Sequence, residues 1–193
     1  LPTLFELFEP DVVISIGDRF ETMAPAVAAA YMNIPLAHTM GGEVSGTIDE
    51  SIRHAVTKLA HLHFPANKAA ADRIVRMGED PDSVYVVGCP RIDLVDEVLS
   101  SGDSKSDGWL EKEGVGGQVD LGKPFLLVSQ HPVTTEFGAG ENQIDETLFA
   151  VRSLDIPAIV LWPNVDAGSE DVHRWAASFA RLHTKMFVRC EHE

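Results

Sequence analysis

The segment 38–55, HTMGGEVSGTIDESIRHA, gathers acidic, basic and imidazole side chains within eighteen residues. Asp49 and Glu50 are adjacent, Glu43 precedes them, and Arg53 follows within one helical turn. Carboxylates beside a guanidinium suit proton transfer next to an anionic substrate, because the cation can keep one carboxylate charged while burial raises the pKa of another. The segment is therefore a candidate acid–base site.

The same segment also has structural interpretations. Thr47 and Glu50 have the spacing of a capping box, in which the glutamate side chain accepts a hydrogen bond from the backbone of the cap residue. His61 and His63 have the spacing of two ligands on one face of a strand, and His54 lies seven residues before His61. No clear third ligand accompanies them, so we do not predict a metal site.

Two more polar clusters follow predicted strands, GDRFET after 11–17 and SQHPVTTEFG after 124–130. Ligands of open parallel sheets bind outside the carboxyl ends of the strands, so these clusters are candidate site segments. Asp18 can point into such a crevice and Arg19 can meet a phosphate, although Asp18 is equally placed to cap the next helix. His131 can present an imidazole to a phosphate or a leaving group.

Composition narrows the function classes. The chain has 193 residues, 45% of them apolar, and a formal net charge of −15, which favours a globular fold and disfavours binding to nucleic acid or to anionic membranes. Its apolar runs are too short for a membrane span, and we expect a cytoplasmic protein. An anionic ligand would need a local cluster of cations. The candidates are Arg19, Arg53, Arg91, His131 and the N-termini of helices.

Alternating strand and helix patterns predict an α/β fold with doubly wound parallel sheets. In the first half the predicted strands are 11–17, 34–39, 62–67 and 83–88, and the predicted helices are 21–32, 50–60, 68–77 and 92–99. Helix 50–60 has an apolar stripe formed by Ile52, Ala55, Val56 and Leu59. Glu50, Arg53, His54, Thr57 and His61 are expected on its other side.

A glycine-rich, serine-rich and charged stretch, 101–123, predicts a linker between domains 1–100 and 124–193. In the second domain the predicted strands are 124–130, 157–162 and 185–190, and the predicted helices are 141–154 and 169–182. Both sheets would have fewer than the usual five or six strands. We therefore expect both domains to be incomplete, as in a fragment of a longer two-domain protein.

The blocks GDRFETMAPAVAAAYMNIPLAHTMGGEVSGTIDESIRHAVTKLAHLHFPA, VGCPRIDLV, SQHPVTTEFG and WPNVDAGSE resemble the hydrolysing UDP-N-acetylglucosamine 2-epimerases of sialic-acid biosynthesis. The resemblance covers essentially the whole chain. It implies the GT-B architecture of two Rossmann-like domains. Residues 1–100 would be the C-terminal part of the first domain, and 124–193 the N-terminal part of the second, nucleotide-binding domain.

The resemblance also implies the reaction and its residues. UDP would be eliminated to give 2-acetamidoglucal, and hydration would then give N-acetylmannosamine, with a UDP-sugar as the substrate, no cofactor or metal, and a homo-oligomer, dimer or tetramer, as the assembly. The implied catalytic residues are Asp18, Glu43, Asp49, Glu50 and His131. The implied substrate-binding residues are Arg19, Arg53 and Asp166.

The sequence departs from the family pattern at Met40, where members often carry a glutamate or a histidine. A thioether cannot transfer a proton. The family's N-terminal phosphate-contacting basic residue and its C-terminal uridine-binding segment are also not found, so this chain alone is expected to bind UDP poorly. A GT-B glycosyltransferase and a truncated, non-catalytic α/β module are the competing interpretations.

Overall fold

The computed structural model describes residues 1–101, 114–131, 133, 136, 138–162, 169–183 and 185–189. The chain divides into two compact units, Leu1–Asp103 and Ser104–Glu193. Within the described ranges, no helix is both long and apolar enough to cross a membrane.

The first unit alternates helices with the strands of a parallel sheet. Its strands are β1 (Val13–Ile16), β2 (Leu36–Thr39) and β3 (Leu62–Phe64), and its α-helices are α1 (Pro2–Phe8), α2 (Phe20–Tyr31), α3 (Ile48–Leu59), α4 (Lys68–Arg76) and α5 (Pro90–Ser101). The strands are ordered β1-β2-β3, and both pairings are parallel. The predicted alternation of strands and helices in a parallel sheet is confirmed for this unit.

The fourth predicted strand, 83–88, is not a regular strand in the structure. A short 3₁₀ helix covers Pro81–Ser83, and the following segment runs beside β3 without becoming a regular strand. Tyr85 N–H donates to the carbonyl of His63 at 2.8 Å. Val87 N–H likewise donates to the carbonyl of Pro65 at 3.2 Å, but Pro65 has no N–H to donate to this segment, so the ladder lacks one of its hydrogen bonds.

The apolar core of the first unit lies between the sheet and the helices α2 and α3. It consists of Val13, Ala26, Ala29, Leu36, Val56 and Ala60. The small alanine side chains of α2 allow this helix to approach the sheet and α3 closely, and Ala26 and Ala29 are fully buried.

The buried face of α3 is more polar than the sequence predicts. Arg53 and Thr57, expected opposite the apolar stripe, are buried together with Val56, whereas Ile52 is only half-buried. The prediction of an apolar inner face and a polar outer face was therefore wrong for Arg53 and Thr57. Both have polar partners inside the unit, which is the condition for burying such groups.

Three polar residues form a row across the buried side of the sheet. Ser15, His38 and His63 are direct neighbours in the strand register, and each is at most 3% exposed. Burial lowers the pKa of both imidazoles from the ordinary 6.5, and for His63 the Glu79 carboxylate opposes this by raising it. Both rings are consequently neutral in the folded protein near neutral pH.

The loop between β2 and α3 makes a tight approach to α4. Gly42 has φ +78°, and a Cβ atom there would lie 2.4 Å from the carbonyl oxygen of Ala70. Gly46 also has a positive φ, +71°, but has nothing within 4 Å of the Cβ position. Met40, at the end of β2, has φ 59°, an uncommon conformation for a residue other than glycine.

The second unit is built on a mixed sheet. Its strands are β4 (Gly114–Gly116), β5 (Leu126–Val128), β6 (Ala158–Val160) and β7 (Met186–Arg189), and its described helices are α6 (Gly140–Ser153) and α7 (Ser169–Leu182). The order is β4-β7-β6-β5, with β5, β6 and β7 parallel. Strand β4, which lies in the range predicted as a linker, pairs with β7 in antiparallel orientation.

Replacing Gly42 by alanine should destabilise the protein much more than the matched change at Gly46. Both changes place an L residue at positive φ, which costs about 1–2 kcal/mol, and at Gly42 the clash with Ala70 adds about 1–3 kcal/mol. Denaturant unfolding of Gly42→Ala and Gly46→Ala measures the difference. Equal losses of unfolding free energy would contradict the close contact between the loop and α4.

The stability of the first unit should fall as the pH drops below about 6.5, because the unfolded chain binds protons at His38 and His63 before the folded chain does. The stabilisation is complete above 6.5 and is lost progressively as the pH falls toward the lowered folded-state values. Each histidine contributes a slope of at most about 1.4 kcal/mol per pH unit. Unfolding curves between pH 8 and pH 5 measure it, and His63→Leu should reduce the slope. A constant free energy of unfolding over this range would contradict the burial of neutral imidazoles.

Candidate functional site

Arg53 connects three segments at the carboxyl end of the first sheet. From α3, its Nη2 donates to Oδ2 of Asp18 in the turn after β1, and its Nη1 donates to the carbonyl oxygen of Glu43 at 2.8 Å in the loop after β2. The Arg53 side chain is 8% exposed and that of Asp18 26%. The guanidinium is therefore largely withdrawn from water and its charge is balanced by a carboxylate, as burial of a charge requires.

A second arginine holds the neighbouring peptide of the same loop. Nη1 of Arg73, on α4, donates to the carbonyl oxygen of Gly42. The consecutive carbonyls of Gly42 and Glu43 are thus each bound by a guanidinium. Together with the contact of Gly42 against α4, these bonds give the loop a defined path into α3.

Glu50 is held by the loop that precedes its own helix. Its Oε2 accepts hydrogen bonds from the backbone N–H groups of Ser45 at 2.8 Å and Gly46 at 2.7 Å. The capping box predicted with Thr47 is therefore wrong in its partners, because the glutamate reaches further back and the Thr47 side chain makes no capping hydrogen bond. The N–H groups of Gly46 and then Ser45 lower the pKa of Glu50. A carboxylate held in its charged form suits a base or an electrostatic role better than an acid.

Asp49 lies in the first turn of α3, and its Oδ2 accepts a hydrogen bond from the Thr47 hydroxyl at 3.2 Å. The Asp49 and Glu43 side chains are both half-buried. Asp49 is four residues before Arg53, so the two share one face of the helix. The structure thus brings Asp18, Glu43, Asp49, Glu50 and Arg53, all of them predicted from the sequence, to one edge of the first sheet.

The remaining predicted site residues are Arg19, His131 and Asp166. Arg19 follows Asp18, but Nη2 of its half-exposed side chain pairs with Oε1 of Glu21 at 3.2 Å. His131 belongs to the second unit, where it is exposed just beyond the end of β5. Asp166 lies outside the described residues. In the part of the chain that is described, no group of three or more His, Cys, Asp or Glu residues could hold a metal ion.

Two residues that contact the site were not predicted as part of it. His38 lies on β2, where its Nε2 is 2.8 Å from the carbonyl oxygen of Gly17 and its Nδ1 is 3.1 Å from Oγ1 of Thr57. Thr57 is four residues after Arg53, so both project from one face of α3. The sequence contained two signals for these residues: the four-residue spacing of Arg53 and Thr57, and the position of His38 in a predicted strand of the parallel sheet.

The sequence of the chain is similar to those of known proteins. The sequence model of a family described as UDP-N-acetylglucosamine 2-epimerase matches residues 1–190. A UDP-N,N′-diacetylbacillosamine 2-epimerase (hydrolyzing) from Legionella pneumophila is 35% identical over 97% of this chain and 50% of its own length. A UDP-N-acetylglucosamine 2-epimerase from Neisseria meningitidis is 33% identical over 88% of this chain and 43% of its own length.

Solved structures show the same fold. The crystal structure of UDP-GlcNAc 2-epimerase from Neisseria meningitidis bound to UDP-GlcNAc has a TM-score of 0.77 at 18% identity, and covers 100% of this chain and 52% of that one. The enzyme from Methanocaldococcus jannaschii in complex with UDP-GlcNAc and UDP has a TM-score of 0.72 at 16% identity, over 98% of this chain and 52% of that one. The predicted α/β fold with Rossmann-like, GT-B-type units is confirmed.

The chain spans about half the length of the relatives it matches. Within that half, the family match runs through both units. The chain belongs to the UDP-N-acetylglucosamine 2-epimerase family.

Proposed function

We propose that the whole protein is a hydrolysing epimerase that converts UDP-N-acetylglucosamine and water into UDP and N-acetylmannosamine. In the first stage a carboxylate takes the C2 proton while the bond from C1 to the UDP oxygen breaks. The electron pair of the C2–H bond becomes the double bond of 2-acetamidoglucal, and UDP leaves. In the second stage water adds its hydroxyl to C1, and a proton returns to C2 from the opposite face.

The observation that supports this proposal best is the ion pair of Arg53 with Asp18, which lies beside the Glu43 loop, with Arg53 on the helix whose first turn carries Asp49 and Glu50, in a chain of this family. Proton removal and return at one carbon need at least one ionised carboxylate and one proton donor. The lowered pKa of Glu50 favours it as the ionised partner. Asp18 balances the charge of Arg53, so Glu43 and Asp49 are the candidates for the donor.

The hydrolysing outcome is favoured by the relatives. The 35% identical Legionella protein is named as hydrolysing, and a 34% identical Escherichia coli relative is named as a polysialic acid biosynthesis protein. Because the Legionella protein is named as a UDP-N,N′-diacetylbacillosamine 2-epimerase, that UDP-sugar is a second candidate substrate. We further propose that the second unit binds the nucleotide and that its His131 and Asp166 contact the substrate. Arg19 of the first unit is proposed to assist in binding. The enzyme is proposed to be a cytoplasmic homo-oligomer.

The proposal is tested by incubating the whole protein with each UDP-sugar in D2O and following the products by NMR. From UDP-N-acetylglucosamine we expect free UDP and N-acetylmannosamine carrying deuterium at C2, because the returning proton comes from solvent. A product without deuterium at C2 would exclude proton abstraction. A 2-epimer still attached to UDP would exclude hydrolysis, and sugar transferred to an added acceptor would favour the glycosyltransferase alternative.

Asp49→Asn should lower kcat about a hundredfold or more, since it removes an ionisable group from the site while keeping the shape of the side chain. Its melting temperature should change little, because the asparagine oxygen can still accept the Thr47 hydrogen bond. Steady-state UDP release and thermal unfolding measure the two effects.

Glu50→Gln is the matched variant. It also removes the negative charge, and it weakens the bonds from Ser45 and Gly46, which are charge-assisted. We expect a comparable loss of kcat together with a melting temperature lower by about 2–4 °C. Unchanged turnover with a lower melting temperature would assign a purely structural role to the residue concerned.

A further inference from the structure

His38 is fully buried, and both of its ring nitrogens have partners. Nε2 lies 2.8 Å from the carbonyl oxygen of Gly17, which can only accept a hydrogen bond. Nε2 must therefore carry the proton and donate it. In a neutral ring this leaves Nδ1 as an acceptor, and burial lowers the pKa of His38, which keeps the ring neutral.

The partner of Nδ1 is the hydroxyl of Thr57, at 3.1 Å. The same hydroxyl lies 2.9 Å from the carbonyl oxygen of Arg53 in the preceding turn of α3. A hydroxyl has one proton to donate, so the His38 ring competes with the Arg53 carbonyl for it. The Arg53 carbonyl also accepts the N–H of the next helical turn, whereas the hydroxyl is the partner found for Nδ1, so a neutral ring with Nε2–H favours the hydroxyl orientation that donates to Nδ1 and connects β2 to α3.

Gly41 gives independent evidence that this hydrogen bond constrains the sequence. A Cβ atom at Gly41 would lie 3.0 Å from both His38 Nδ1 and Thr57 Oγ1, closer than ordinary van der Waals contact. The absence of a side chain at Gly41 therefore leaves room for the bond between imidazole and hydroxyl.

We infer that His38 is a positioning residue of the candidate site: it fixes the Gly17 carbonyl through Nε2 and the Thr57 hydroxyl through Nδ1. Gly17 immediately precedes Asp18, and Thr57 is one helical turn from Arg53. The imidazole thus sets the spacing between the two elements that carry the Asp18–Arg53 ion pair. The expected effect of His38 on turnover rests on the proposed function. The hydrogen bonds of its imidazole do not depend on that proposal.

The first test is independent of turnover. In ¹⁵N-labelled protein, the ring resonances of His38, assigned by comparison with His38→Gln, should show the tautomer protonated at Nε2 with a slowly exchanging proton. A ring protonated at Nδ1 would overturn the inference, because it could not donate to Gly17.

The second test uses two variants that each keep one of the two contacts. His38→Gln places an amide N–H near the Nε2 position, and His38→Asn places its amide near Nδ1. We expect kcat to fall about tenfold or more in both variants, because each loses one of the two contacts, with KM within about threefold, since a small displacement of a catalytic group acts on the chemical step. A kcat within about threefold of that of the unmodified protein in either folded variant would overturn the inference for the contact that this variant lacks.

Two variants of Thr57 test the same contact from its other side, and they replace His38→Asn if that variant does not fold. Thr57→Ser retains the hydroxyl and should keep kcat within about threefold, whereas Thr57→Val retains the shape without it and should lose about tenfold. If Thr57→Val equals Thr57→Ser in kcat, the contact through Nδ1 has no positioning role and the inference fails in that part.

Failure of the proposed function is distinguishable from failure of this inference. If the unmodified protein releases no UDP from either sugar, the proposed function fails, and the ¹³C resonance of the Asp18 carboxylate replaces kcat as the measurement. That resonance should shift in His38→Asn more than in His38→Gln. Equal shifts would overturn the positioning role, and unequal shifts would support it.

Discussion

The guanidinium of Arg53 connects the segments that meet at the carboxyl end of the first sheet. It projects from α3 with 8% of its side chain exposed, and it binds a carboxylate from the turn after β1 and a carbonyl from the loop after β2. A buried cation without such partners would be strongly unfavourable. The positions of Asp18, of the Glu43 peptide and of α3 are therefore linked: moving Asp18 would leave the charge of Arg53 unbalanced, and moving the Glu43 peptide would remove a hydrogen bond from its guanidinium.

Several features of the sequence follow from that constraint. The loop after β2 must place its carbonyls toward two arginines, which it does by passing close to α4 at Gly42, where a side chain would collide with Ala70. α3 must approach the sheet with a polar face, so its buried positions include Arg53 and Thr57. The carboxylates at the start of α3 then come to the same edge, with Glu50 bound to backbone N–H groups of the loop.

The fold class and most elements could be predicted from the sequence, because strands and helices of a parallel α/β unit have different apolar periods and ends marked by glycine or proline. The position of Asp18, Glu43 and Arg53 near the carboxyl ends of strands could also be predicted from the sequence, whereas their catalytic roles stay a prediction. The sequence could indicate that Val56 and its apolar neighbours face the core. It could not indicate that Arg53 and Thr57 are buried as well, because these residue types are usually exposed and their burial here depends on polar partners. The role of His38 was hidden for the same reason, since both of its contacts are long-range.

The most direct test of the central role of Arg53 is a double-mutant cycle on the free energy of unfolding with Asp18→Asn, Arg53→Gln and the double variant. If the ion pair holds the turn after β1 to α3, the two changes should be non-additive, with a coupling energy of about 1–3 kcal/mol. Each single variant should be clearly less stable than the unmodified protein, because it leaves a charge without its partner. Additivity within about 0.3–0.5 kcal/mol would show that the two side chains act independently, and would contradict the account.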